Sequence, residues 1–383
     1  MFTHRMDRLR KSLAKNNINV SLITDEDSIY YFTGYYDYLH MEFGRPTILV
    51  VNHEGKSILI TPNIEFEMAQ ASAMVDSILS WNDGSGNEWR EKLPNILKGN
   101  ITVAVEKEQI PQIVFGYVKS LVETDRLIDL NLIIAEIRMI KSAEEIELAR
   151  HTAEVAKKMM QSGAEAIGEG IPEYEVALAI SAAGTRKSAE LLLEHYNDER
   201  MSPNMHFLQI MASGKEITMP HHRASTKIMI RGEPVFICLC GITNFNRFKL
   251  GFDRTFWIEE ISDKYQETIY QLALKSQSAA LSELRPGARA EDIHAAYAEV
   301  IQSAGFEYPF RCGRGTGFSY LEKPQLVFGD KTILKPGMIL AVDGSVSVNK
   351  RFRAQVGDSF IITEEGYEQL TNFPKNIHDV IIN

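Results

Sequence analysis

The stretch SAEEIELARHTAEVAKKMMQSGAEAIGEGIPEYEVALAI, residues 142 to 180, decides the fold once it is set beside SDKYQETIYQLALKSQSAALSELRPGARAEDIHAAYAEVI, residues 262 to 301. Each reads as a long capped helix, a glycine turn and a second helix. Ser142 with Glu145 makes a capping box in the first, because a hydroxyl and a glutamate three residues on satisfy each other's free backbone N–H. Gly170 precedes Glu175 and Val176 by the interval at which Gly287 precedes Asp292 and Ile293, and strand-like sequence follows both units. Such a duplicated ααββ unit predicts two antiparallel sheets about a pseudo-twofold axis, helices outside, with a natural ligand cleft where the halves meet.

Ahead of the repeat, RMDRLRKSLAKN (5 to 16) spaces Met6, Leu9 and Leu13 as one face of a helix, and NVSLIT then reads as a strand. TILVVN and SILITP form a hairpin across HEGK, and ITVAVE is a further strand. The chain thus divides into a smaller α/β domain over 1–135 and a larger α+β domain over 136–383, the seam lying near LIIAEIRMIKSAEE. A length of 383 residues suits two cores.

The composition, 44% hydrophobic and 24% charged, is that of a globular protein. A net charge of −10 disfavours a nucleic-acid groove. No apolar run reaches the roughly 20 residues that span a bilayer, and MFTHRMDRLRKSL has no apolar signal core, so the expectation is a cytoplasmic protein without membrane contact. The odd count of three cysteines suits a reducing compartment.

Polar clusters in the second half carry the possible chemistry. His221 and His222 follow Pro220, and one imidazole there would serve as a general base near neutral pH. Gly313, Gly315 and Gly317 permit close backbone approach to a ligand, with Arg314 offering a planar fork to a carboxylate or phosphate. Asp343 ends the apolar run MILAV, either as turn chemistry before Gly344 or as a charge in a cleft. In VFICLCGITNFNRFKLGFDRTF (235 to 256), Cys238, Cys240 and Asp253 interrupt a buried pattern. With Cys312 and His221 the cysteines offer a thiolate-rich zinc alternative, although C-x-C is not the usual knuckle spacing and free cysteine is commonly buried.

FGRPTILVV (43 to 51), IRMIKSAEEIELAR (137 to 150), PHHRAS, the GRGTG loop with LEKP, LKPGM and GDSFIITEEGYE occur here in the order of one family. The chain resembles the pita-bread superfamily of methionine aminopeptidase, Xaa-Pro peptidase and creatinase, and within it the two-domain creatinase and Xaa-Pro peptidase branch. That resemblance implies a C-terminal pita-bread domain behind a creatinase-type N-terminal domain. The family's metallopeptidases hold two metal ions through two Asp, one His and two Glu. Those positions fall on Cys238, Gly251, Arg314, Asp343 and Gly357, so the resemblance implies no metal and no other cofactor here.

Similarity to creatinase, the family's metal-free enzyme, implies His221 as proton shuttle, Asp253 and Asp343 as substrate-holding carboxylates, and Phe43 with Arg45 reaching into the active site of a second subunit. The resulting expectation is a homodimer with shared sites acting on a small zwitterionic or anionic molecule. The expected reaction is metal-independent, creatinase-like hydrolysis of an amidino or amide C–N bond, with His221 as base, Asp253, Asp343 and Cys238 lining the pocket, and Arg45 and Arg314 clamping a carboxylate. A lyase using His221 and a non-catalytic peptide-binding module are the alternatives, and a metal-dependent Xaa-Pro peptidase is placed last.

Overall fold

A computed structural model describes residues 1–36, 45–84, 86–198, 210–240, 244–319 and 321–383. The chain forms two compact units, Met1–Arg138 and Met139–Asn383.

In the first unit, the amphipathic start folds as helix α1 (Phe2–Lys15), burying Met6, Leu9 and Leu13 as their spacing requires. Strands β1 (Val20–Ile23), β2 (Ile48–Asn52), β3 (Ser57–Pro62), β4 (Ser77–Trp81), β5 (Val103–Val105) and β6 (Leu127–Asp129) form one sheet in the order β4-β3-β2-β1-β5-β6. The hairpin β2–β3 is antiparallel, whereas β1, β5 and β6 run parallel. Val50, Val103, Trp81 and Trp89 lie in its core. Near its end, Glu106 takes hydrogen bonds from Ser28 Oγ at 2.5 Å and Thr24 N at 3.4 Å, and Arg138 Nη2 donates to the same Ser28 hydroxyl at 3.0 Å.

The second unit carries the repeat. Helices α2 (Glu26–Thr33), α3 (Phe66–Ser72), α4 (Leu93–Ile96), α5 (Gln112–Leu121) and α6 (Asn131–Met139) precede it in the chain, and its own long helices are α7 (Ala143–Ala166), α8 (Glu173–Leu191), α9 (Lys264–Ser282) and α10 (Ala290–Ser303). Ser142 and Glu145 make the predicted capping box, at 3.3 and 2.8 Å. The duplication is visible in the backbone: Gly170 and Gly287 both take positive φ, +81° and +87°, and each is followed two residues later by an isolated bridge, Pro172 to Ile228 and Arg289 to Ile333. Positive φ at these turns is what glycine permits without a Cβ clash.

Strands β7 (Met211–Ser213), β8 (Pro234–Cys238) and β11 (Asp253–Ile258) belong to the first repeat, with a two-stranded hairpin, β9 (Asn244–Phe245) and β10 (Phe248–Lys249), inserted between β8 and β11. Strands β12 (Gly313–Gly315), β13 (Glu322–Leu326), β14 (Ile339–Val348) and β15 (Phe352–Ile362) belong to the second, followed by β16 (Tyr367–Gln369) and β17 (Ile381–Ile382). The two expected sheets are in fact one, ordered β13-β12-β14-β15-β11-β8-β7. They join at β11 and β15 through a single register pair, Asp253 opposite Gly357. Helix α9 lies close on β14, because Gly344 has no Cβ and a side chain there would strike the Ala273 carbonyl.

The joint is clamped from the helix side. Arg254 is fully buried and uses its whole guanidinium: Nη2 donates to Asp358 Oδ1 at 2.8 Å and to the Phe373 carbonyl at 2.9 Å, and Nη1 to the carbonyls of Asp253 and Gly357 at 2.7 and 3.0 Å. Asp358 also accepts from Thr371, Gln277 and Lys375. Removing one member of such a sealed pair leaves the other charged and unpaired. Arg254→Met is therefore expected to lower the unfolding free energy of this unit by about 3–5 kcal/mol, read from denaturant midpoints. A loss under about 1 kcal/mol would mean that the pair does not hold the joint.

Candidate functional site

Around that joint the inner face of the sheet floors a cavity of about 1020 Å³, at the upper end for small-molecule sites. Strand pleat decides who faces it, since alternate residues share a face. On β15 these are Arg353, Gln355 and Gly357; on β14, Asp343 and Ser345; on β8, Phe236 and Cys238. Arg314 lies opposite Ala341 in the β12–β14 ladder, which puts it on the face that carries Asp343.

The polar groups form a connected track. Arg353 Nη1 donates to Gln355 Oε1, and Gln355 Nε2 donates to Asp253 Oδ2 at 2.6 Å. Cys240 Sγ donates to the other Asp253 oxygen at 3.1 Å and shares a hydrogen bond with Arg314. Burial opposes the charge of Arg314, but Cys240, Asp343 and Asp253 outweigh it and hold the guanidinium above its ordinary value. Asp343 retains some surface on the cavity wall, while its Oδ1 is sealed and has no hydrogen-bond partner. Burial and the neighbouring Asp253 push its carboxyl up to about 7, against the pull of Arg314 and Arg311. A carboxyl in that range can both give and take a proton near neutrality.

Of the residues singled out in the sequence, Cys238, Asp253, Arg314 and Asp343 meet in this floor. His221 lines the cavity but is exposed, and its side chain makes no hydrogen bond among the described residues. His222 is turned away, with Nδ1 2.8 Å from the Met211 carbonyl. Arg45 belongs to the N-terminal unit, where it pairs with Asp83. Phe43 lies outside the described residues. Cys312 stands apart from the other two cysteines: its sulfur lies 3.9 Å from the Leu326 carbonyl, and it is Asp253 that groups with Cys238 and Cys240. Arg353 and Gln355 were missed, although FRAQVG carries their signal as polar residues at alternate positions of a strand.

The chain belongs to the family described as metallopeptidase family M24, matched over residues 147–364, and residues 5–140 match the creatinase/prolidase N-terminal domain. It is thus a member of an enzyme family of hydrolases with the two-domain pita-bread fold. It is 29% identical to the agropine synthesis cyclase of Rhizobium rhizogenes, over 97% of this chain and 96% of that one. To the Xaa-Pro dipeptidase of Pyrococcus furiosus it is 28% identical, over 97% and 99%. The prolidase of Pyrococcus horikoshii superposes with a TM-score of 0.81 at 22% identity, covering 98% of this chain and 99% of that one, which shows the shared fold.

These relatives correct the expected reaction. The chain was placed nearest a metal-free creatinase branch and assigned creatinase-like C–N hydrolysis, with Xaa-Pro peptidase last, yet a cyclase and a Xaa-Pro dipeptidase align along its whole length. The physical weakness lay in resting a reaction on His221, Asp253 and Asp343: the histidine stands exposed at the rim, apart from the carboxylates' hydrogen bonds.

Family membership implies metal ions, and the residues present do not fit the family's pair. Gly251 offers no donor, and a side chain there would collide with Ala341. A side chain at Gly357 would collide with Asp343 Oδ1 and lie 2.6 Å from Asp253 Oδ2, so the two aspartates already fill that space. Arg314 puts a permanent cation between the remaining donors. Cys238, Cys240 and Asp253 bring ligand atoms within 4.8 Å of one another, but both Asp253 oxygens are engaged. A hydrogen bond from Cys238 to Cys240 and burial also push the Cys238 thiol well up, favouring its protonated form.

The shifted carboxyl has a stability signature. The folded value for Asp343, about 7, lies above the ordinary 3.8, so its contribution is present at low pH and is lost as pH rises through about 7. Wild type should lose more stability than Asp343→Asn between about pH 5 and about pH 8. Glu106, also raised to about 7, is common to both proteins and cancels. Equal losses in denaturant titrations would remove the assignment.

Proposed function

We propose that the protein is an acyl-transfer enzyme that closes, and in reverse opens, a ring within a small amino-acid derivative. A hydroxyl or amine of the substrate attacks a carboxyl-level carbonyl carbon of the same molecule. One C–O or C–N bond forms, and the bond to a leaving water or amine breaks. The buried Arg314 guanidinium between Cys240, Asp343 and Asp253 carries this reading. It is a fixed donor for an oxyanion developing on the attacked carbonyl, in a site sheltered from water.

Intramolecular attack needs less activation than attack by free water, because the nucleophile is already held at high effective molarity. That supports a guanidinium sufficing where the family's peptidases use metal ions. Asp343, ionised, takes the proton from the attacking group and returns it to the leaving group. Asp253, buried beneath the cavity wall with its oxygens engaged by Cys240 and Gln355, positions those two side chains. Assembly as a homodimer that shares Phe43 and Arg45 between copies belongs to the same proposal, checked by sedimentation of the purified protein.

The full-length similarity to a cyclase favours ring chemistry, and the similarity to a Xaa-Pro dipeptidase supports a second reading, hydrolysis of Xaa-Pro dipeptides. Incubation with agropine and with open and cyclic amino-acid derivatives of that size, followed by mass spectrometry, separates them from Xaa-Pro dipeptides supplied with manganese, cobalt or zinc. Interconversion of open and cyclic forms is expected, falling about 100-fold or more in Arg314→Met. Metal-stimulated Xaa-Pro cleavage that survives Arg314→Met would overturn the proposal in favour of the second reading.

A further inference from the structure

We infer that Arg353 is the receptor for a free carboxylate on the substrate, one that takes no part in the reaction. The inference deepens the proposed ring chemistry and rests on it for the identity of the second, reacting carbonyl. Arg353 is only 5% exposed and lines the cavity. Its Nε donates to the Ile217 carbonyl at 3.3 Å, Nη1 to Gln355, and its guanidinium lies over the Phe236 ring at 4.3 Å. These contacts fix the plane of the fork.

They leave its charge unanswered. Nη2 is buried without a hydrogen-bond partner, and no carboxylate pairs with Arg353 among the described residues. Arg254, equally sealed on the other side of the sheet, has Asp358 at 2.8 Å. A buried cation without a counter-ion is costly, and burial pulls Arg353 below its ordinary range. The nearest negative groups act only at a distance, and Asp253 is reached through Gln355. A carboxylate that displaces the side chains covering Nη2 would satisfy it in the charge-assisted geometry that a guanidinium favours.

Placement then restricts the ligand. Gln355 bridges Arg353 and Asp253, so the docked carboxylate and the reacting centre stand one glutamine side chain apart. Both groups therefore belong to one small molecule. An amino-acid derivative with a free carboxylate at one end and a reactive carboxyl, amide or ester at the other fits; a ligand presenting an ammonium to Arg353 is repelled.

The test uses N-acetylglycine against N-acetylglycinamide, two probes that differ only in the charged group, with calorimetry on the full chain. Wild type should bind the acid at least tenfold more tightly than the amide. Arg353→Met should erase that preference, Arg353→Lys should keep the charge but lose the fork and most of the preference, and exposed Arg351→Met should leave it intact. Should the methionine variant fail to fold, the lysine variant carries the comparison alone. An acid preference unchanged in the Arg353 variants, or none in wild type, overturns the inference. Because the readout is binding, it stands or falls separately from ring closure: acid selectivity without cyclisation sinks only the proposed reaction, and cyclisation without Arg353-dependent selectivity sinks only this inference.

Discussion

The second unit depends on one ion pair. Arg254 and Asp358 sit next to Asp253 and Gly357 in sequence and on the opposite face of the sheet, so sealing the pair on the helix side fixes the register pair at which the two repeats join. Fully buried guanidinium–carboxylate pairs contribute less to net stability than their Coulomb energy suggests, since both ions lose their water. What such a pair supplies here is placement. Further donors and acceptors, from α9, the segment after β16 and the backbone of β11 and β15, converge on it. A slip of one residue at the joint would turn Asp253 from the cavity into the helix layer.

With register fixed, the chemistry of the floor follows from side-chain identity on a rigid frame. Two carboxylates from the strands on either side of β15 lean over its glycine, and a guanidinium from β12 stands beside them. Charge is balanced within the floor for Arg314 and left open for Arg353. On the proposed reading, one cation works on developing charge and the other holds existing charge, with Gln355 linking Arg353 to Asp253.

Much of this was legible in sequence because its signals are local. The capping box at Ser142, the glycine turns at Gly170 and Gly287, and the helical spacing of Met6, Leu9 and Leu13 each depend on a few neighbouring residues. The meeting of Cys238, Asp253, Arg314 and Asp343 was reached through resemblance, since their approach is a property of strand order. Arg353 and Gln355 escaped because alternation along FRAQVG does not say which face is inward until β14 and β11 flank the strand. The place of the third cysteine was hidden for the same reason: Cys312 precedes β12, and only the ladder reveals that its sulfur turns toward β13. The reaction was the least legible part, because motifs that identify positions do not identify what the replaced side chains at those positions now do.

The glycine beneath the two aspartates has an implication for how this site can change. An acidic side chain at 357 has no volume to occupy while Asp343 and Asp253 lean across it, and one at 251 is blocked by Ala341. Rebuilding a carboxylate cage would take replacements at several of these positions together, so no single substitution turns this floor into a metal-binding one.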